Sequence, residues 1–196
     1  MKSTQTNENI IKAAAEIAAV LKTPGAVALV PTETVYGLIC RACDQEAVEK
    51  IRTLKHRDPG KFFGWFIGDW RSAASYGLVM SDAAKKLAER YFPGAVTLIV
   101  NTLSGTTRAI RTPDHPLITQ ILANFDEPLI QTSANASGMP DARNMQQAIA
   151  QLNGTPDISF DGGNLPENAS GSTIVDTVSV PMRILRQGSV VVDLTE

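Results

Sequence analysis

Three Pro-Gly pairs, Pro24-Gly25, Pro59-Gly60 and Pro93-Gly94, cut the first half of the chain into helix-then-strand units. That punctuation constrains the fold more than any other feature. Ile10, Ala14, Ile17 and Leu21 recur at helical spacing and give one apolar face. Pro24-Gly25 stops that helix, residues 26–30 read as a short buried strand, and Pro31 ends it because proline cannot donate to a ladder. The second unit has Asp44 as N-cap, a helix to residue 55 with Ala47, Val48, Ile51 and Leu54 inward, a turn over 58–61, and an aromatic strand over 62–67. The third runs from an N-cap at Ser81 to about residue 91, turns at Pro93-Gly94 and enters a strand over 95–100.

The second half keeps the alternation. A strand ends at residues 108–111, a helix follows over 115–124, a strand over 128–131, and a helix over 144–152 capped by Asn144. A short strand is expected at 158–160, then a loop over 161–171. The last strand candidates are 172–178, 183–185 and 190–194. Alternation of this kind predicts an α/β class with a twisted mixed sheet. No repeat or linker interrupts it, so one domain over residues 1–196 is the economical expectation.

Composition narrows the function. With 196 residues the chain can bury a core without staples. A net charge of -2 recruits neither nucleic acid nor an anionic membrane globally, so any RNA contact needs a local patch. No apolar run suits a signal peptide or a membrane helix, which predicts a cytoplasmic protein. Cys40 and Cys43 form a lone C-x-x-C. With only His56 and His115 as further ligands, they read as structural thiols in a reducing compartment.

Lys55-His56-Arg57, at a helix end and followed by Lys61, is a crowd of cations. One reading is charge complementary to the helix dipole. The other is a phosphate-gripping loop, with lysine as point charge and arginine as planar fork. Small polar residues recur at strand exits (Thr32 and Thr34, Ser133 and Asn135, Ser172 and Thr173), with Arg111, Arg143 and Arg186 alongside. Hydroxyls, amides and cations together suit an anionic ligand with polar substituents, such as a nucleotide plus an amino acid. No P-loop, dinucleotide fingerprint or nucleophile elbow is present. What remains is catalysis by positioning and charge stabilisation.

Six motifs in order then resemble the YrdC-like threonylcarbamoyl-AMP synthases. They are Pro31-Thr32-Glu33-Thr34-Val35-Tyr36-Gly37-Leu38, Lys55-His56-Arg57, Pro93-Gly94-Ala95-Val96-Thr97, Arg111-Thr112-Pro113-Asp114-His115-Pro116, Thr132-Ser133-Ala134-Asn135, and the pair Ser172-Thr173-Ile174-Val175-Asp176 with Ile184-Leu185-Arg186-Gln187-Gly188. The resemblance spans about residues 8–192 and points to the short, single-domain type with a large concave cleft. It implies condensation of L-threonine, bicarbonate and ATP into threonylcarbamoyl-AMP and pyrophosphate, with Mg²⁺ held mainly by the ATP phosphates and no protein metal site. A partner transferase complex would then modify A37 of ANN-decoding tRNAs, with direct tRNA contact weak.

Carried over residue by residue, the resemblance puts Lys55 and Arg57 in catalysis. Lys55, Arg57, Lys61, Ser133, Asn135, Arg143 and Arg186 would bind ATP. Thr32, Tyr36, Arg111 and Ser172 would bind threonine, with Arg111 on its carboxylate. Ile39, Arg41, Phe62-Phe63-Gly64 and Phe66 depart from the family pattern and predict a reshaped cleft. Two other readings stay open: a paralogue with a changed substrate, and an RNA-binding module without synthase activity.

Overall fold

Helices begin where a short polar side chain can close their first turn. In the computed structural model, which describes residues 2–58 and 60–194, Asp44, Ser81 and Asn144 accept from Ala47 N, Ala84 N and Gln147 N. They start α2 (Gln45–Lys55), α3 (Asp82–Tyr91) and α5 (Met145–Gln151). His115 occupies the same position before α4 (Pro116–Leu122), but its side chain makes no cap bond. The first helix, α1, spans Lys2–Leu21. The expected turn over 58–61 includes Pro59, which lies outside the described residues.

Ten strands form one mixed sheet: β1 (Ala28–Val30), β2 (Gly37–Arg41), β3 (Gly64–Phe66), β4 (Leu78–Val79), β5 (Val96–Thr102), β6 (Thr107–Arg111), β7 (Leu129–Ser133), β8 (Ile158–Ser159), β9 (Thr173–Asp176) and β10 (Arg183–Arg186). Their order is β10-β9-β5-β6-β3-β7-β2-β1-β8, with β4 paired to β5. The β1–β8, β3–β6 and β5–β9 pairs are parallel and the others antiparallel.

Period-two alternation sends neighbouring residues to opposite faces. On one face, Ala28, Val30, Ile39, Phe66 and Leu129 pack with residues of α1 and α4. On the other, Leu29, Leu38, Cys40 and Ile130 pack with α2 and α5, and Leu98, Val100, Ile110 and Val175 pack with α3. Gly64, Ala109, Arg111, Gln131, Ser133, Thr97 and Ile174 line an open cleft instead. Among them Gly64 faces Gln131 and Thr97 faces Ile174 in register, and Ile174 also faces Arg186.

Two segments differ from expectation. Residues 190–194 alternate like a strand but form none. The Thr173 hydroxyl takes the Val190 carbonyl at 2.5 Å, Gln187 Nε2 takes it too, and Val192 drops into the core. A 3₁₀ helix at Trp70–Tyr76 and the two-residue β4 follow Asp69, whose carboxylate caps Arg71 N. Both are too short to leave a periodic signal.

The end of β9 is fixed by one carboxylate. Asp176 accepts from Ser179 Oγ at 2.6 Å, Ser179 N at 3.1 Å, Val178 N at 3.0 Å and Arg183 Nε at 3.2 Å, closing the turn into β10. The Ser179 hydroxyl first, then the backbone amides and Arg183, hold its pKa down at about 2 against a smaller effect of burial. A depressed carboxylate stabilises the fold above its ordinary value and loses that contribution as pH falls through the folded one. Asp176→Ala is expected to cost about 1–3 kcal/mol in urea unfolding. It should also flatten the loss of wild-type stability between about pH 4 and pH 2; an unchanged acid limb would refute this role.

Candidate active site

The C-terminal end of α2 ends in a Schellman turn. His56 takes the left-handed conformation (φ 48°), its N–H reaches Thr53 O, and Arg57 N–H reaches Arg52 O at 3.0 Å. A non-glycine residue at positive φ is uncommon, and here the turn separates two cations two residues apart. Lys55 points inward and is 1% exposed, whereas Arg57 turns into the cleft. His56 is exposed.

Lys55 is not among the residues that line the cleft. Its ammonium donates to the Ser133 carbonyl, to Asn135 O at 2.6 Å and to Asn135 Oδ1 at 3.4 Å. Its own carbonyl accepts from Ser137 N at 2.9 Å. Burial, with Arg57 adding to it and Asp141 opposing, draws its pKa down to about 8. Within the loop, Ser133 Oγ donates to Asn135 Oδ1 at 2.5 Å, and Asn135 Nδ2 donates to Met139 O at 2.5 Å. Lys55 is therefore the bolt that holds the exit of β7 against the end of α2.

The cleft holds about 730 Å³, its open mouth included. Three guanidinium groups line it, from Arg57, Arg111 and Arg186, against a single lining carboxylate, Asp141. Arg111 is 2% exposed, donates to Thr34 Oγ1 at 3.3 Å and lies 3.7 Å from Glu33 Oε2 rather than pairing with Asp114. Burial pulls its pKa down, Glu33 opposes, and Arg186 adds to the fall. Arg57 donates to Phe62 O at 2.9 Å and stacks 5.0 Å from the Phe63 ring. Arg186 donates to Ser172 O at 2.9 Å and 3.1 Å, and Ser172 Oγ meets Thr97 Oγ1 at 2.7 Å. The Nε atoms of both Arg57 and Arg111 are buried without an acceptor.

Gly188 makes this corner possible. A Cβ there would lie 2.1 Å from Gly171 O and 2.5 Å from the Ser172 carbonyl carbon. Only glycine lets the chain leaving β10 press against the segment that carries Ser172.

Of the residues expected from sequence, the cleft brings together Arg57, Arg111, Ser133, Ser172 and Arg186. The others lie off its wall. Lys55 and Asn135 stand behind it, as described. Tyr36 is fully buried, its hydroxyl donating to Gly163 O at 2.8 Å and accepting from Gly162 N at 2.8 Å. Thr32 spends its hydroxyl on Val35 O at 2.7 Å while accepting from the amides of Thr34 and Val35. Lys61 is exposed beside Asp58 at 3.4 Å, and Arg143 is exposed.

Thr34, one of the strand-exit hydroxyls, and Thr97, of the Pro93–Thr97 motif, line the cleft, and Gln131 and Asp141 line it without having been expected there. Gln131 was legible as the residue two before Ser133 on one strand. Asp141 sits in a loop with no periodic signal.

The Sua5/YciO/YrdC family model, described as telomere recombination, matches residues 20–188. A Mycobacterium tuberculosis relative is 32% identical over 196 residues, covering 95% of this chain and 87% of that protein. The mouse protein named threonylcarbamoyl-AMP synthase is 34% identical over 180 residues, covering 84% of this chain and 63% of its own length. The solved structure of Pyrococcus abyssi Sua5 complexed with L-threonine superposes with a TM-score of 0.79 at 27% identity, over 93% of this chain and 54% of that one. Escherichia coli YciO shares the fold, with a TM-score of 0.76 at 22% identity over 93% of this chain and 90% of that one.

The Lys55 bolt gives a pH-dependent outcome with opposite signs at two levels. As pH rises through about 8 the amine loses one of three donors. Hydrogen-exchange protection at Ser137 and Met139 should then fall. Global stability should rise over the same range, because the folded state binds this proton more weakly than the unfolded chain. Unchanged protection across that range would remove Lys55 as the clamp.

Proposed function

The chain belongs to the Sua5/YciO/YrdC family, and we propose that it is an L-threonylcarbamoyladenylate synthase. It would convert L-threonine, bicarbonate and ATP into threonylcarbamoyl-AMP, pyrophosphate and water, a nucleotidyl transfer. The observation that carries this reading is a cleft lined by three guanidinium groups, from Arg57, Arg111 and Arg186, against one carboxylate, Asp141. Clustered guanidinium groups of this kind are matched by an anionic ligand with oxygens at several points. The P. abyssi relative's complex with L-threonine and the mouse relative's name support the substrate class.

In this reading Arg111 grips the threonine carboxylate, with Thr34, Ser172 and Thr97 supplying hydroxyls around the amino acid. Arg57 and Arg186 lie along the triphosphate, with Ser133 and its loop on the nucleotide side. The carbamate oxygen displaces pyrophosphate from the α-phosphorus, and negative charge grows on the departing oxygens. Fixed guanidinium groups already aimed there stabilise that charge without reorganising. Lys55 and Asn135 act from behind by holding the loop, and Tyr36 and Thr32 by holding the β2 entry. Lys61 and Arg143, on the surface, would reach the nucleotide only from the rim.

Among the described residues no group of three or more His, Cys, Asp or Glu side chains comes together. The donor set therefore suits Mg²⁺ arriving on the ATP phosphates, where it would neutralise charge on the triphosphate. Among the described residues no histidine lines the cleft. One domain would carry this whole site and work in the cytoplasm, passing its adenylate to the transferase complex that modifies tRNA. No helix among the described residues is long and apolar enough to cross a membrane. Direct tRNA contact would be weak, because a net charge of -2 offers little beyond local arginines.

Pyrophosphate release is expected to require threonine and bicarbonate together. Arg57→Ala should lower it by roughly two to three orders of magnitude while the thermal melt stays near wild type. Near-normal turnover in that variant, or release independent of threonine, would overturn the assignment. Tight tRNA binding without turnover would favour an RNA-binding module.

A further inference from the structure

A second cavity of about 480 Å³, its mouth included, lies behind the Phe62–Phe63 segment. Gln45, Arg52, Phe62, Phe63, Trp65 and Arg108 contribute to it, and Phe62 and Phe63 also wall the main cleft. None of its lining residues is acidic.

Its donors are unusual. The Arg108 guanidinium lies 4.6 Å from the Trp65 ring, and its Nε has no hydrogen-bond partner. Its Nε is sealed from solvent without an acceptor, and so is Trp65 Nε1. Burial alone pulls the Arg108 pKa down, with no carboxylate opposing it. A buried donor left unpaired costs free energy, more so when it is charged.

Arg52 also lines the cavity, 4.8 Å from the Phe63 ring. Asp58 O and Lys61 O, both 3.1 Å away, and Glu49 at 3.2 Å hold it in place. Glu49 offsets the Arg52 charge, so Arg108 is the uncompensated one. One net positive charge suits a ligand carrying one negative charge. A guanidinium presents several N–H donors in one plane, which suits the paired oxygens of a phosphate group.

We propose that this rear cavity is a second oxyanion site, one that binds a singly charged phosphate group through the guanidinium of Arg108, with Arg52 lining the same space. The group could come from inorganic phosphate or from a phosphodiester of single-stranded RNA. In the second case Phe62, 76% exposed at the rim, offers a ring on which the adjoining base can stack.

The full chain would be titrated separately with inorganic phosphate and with a short oligouridylate, followed by calorimetry and tryptophan fluorescence. Because phosphate can also enter the main cleft, the titrations are run in the Arg57→Ala background. Phosphate affinity should survive there and fall roughly tenfold when Arg108→Gln is added. Arg108→Glu reverses the charge and should abolish binding; it carries the test if Arg108→Gln fails to fold. Oligouridylate binding that is tighter than phosphate and Arg108-dependent identifies the phosphodiester source, whereas Arg108-dependent binding of phosphate alone identifies the free anion. Phosphate binding that ignores Arg108, or that vanishes with Arg57→Ala alone, overturns the proposal.

Discussion

The Lys55 ammonium is the contact on which the rest of the site depends. It ties the last turn of α2 to the Ser133 and Asn135 carbonyls, in a place almost without water. A charged donor there is costly unless its acceptors are well placed, and the acceptors would in turn be costly without it. The mutual requirement fixes the exit of β7 relative to α2. It thereby fixes where Ser133 sits on one wall of the cleft and where Arg57 emerges on another. Electrostatics adds direction. With Lys55 charge satisfied behind the wall, the guanidinium groups of Arg57, Arg111 and Arg186 are left to face the open space.

The sheet supplies the other half of the arrangement. The face that packs on α1 and α4 continues into a region where Gly64 and Ala109 are too small to fill the floor. Thr97, Ile174 and Arg186 face one another across three strands, and Gly188 lets the final turn approach closely enough to hold Ser172. The same strand alternation that buries Ile110 and Leu98 in the core presents Arg111 and Thr97 to the cleft. Fold stability and site geometry therefore come from one pattern read on its two sides.

Much of this was legible in the chain. Caps at Asp44, Ser81 and Asn144 marked three helices at their first residues, and apolar spacing marked α1 and α4. The chemistry was legible as residue types: late arginines, hydroxyls at strand exits, a Ser-x-Asn loop. Which side of a wall each residue occupies was not. Lys55 and Arg57 differ by two positions, and a left-handed residue between them sends one into the interior and one into the cleft. Tyr36 and Thr34 are likewise two apart, yet Tyr36 bonds to the 161–163 loop while Thr34 lines the cavity. Residues 190–194 misled because their alternation serves one buried valine and a side-chain bond to Thr173, not a ladder. The aromatic departures at Phe62 and Phe63 read as a reshaped cleft. In the fold they wall both cavities, and Arg52 and Arg57 both stack on the Phe63 ring.

The central claim is that the buried guanidinium of Arg111 and the Ser172 corner receive an amino-acid carboxylate while Arg57 and Arg186 receive a triphosphate. A crystal structure of this chain with L-threonine and a non-hydrolysable ATP analogue tests it most directly. The account predicts the carboxylate within hydrogen-bonding distance of Arg111 and Ser172, and phosphate oxygens on Arg57, with Lys55 still bonded to Ser133 and Asn135. Threonine bound away from Arg111, or a triphosphate that pulls Lys55 out of its clamp to reach it, would contradict the account.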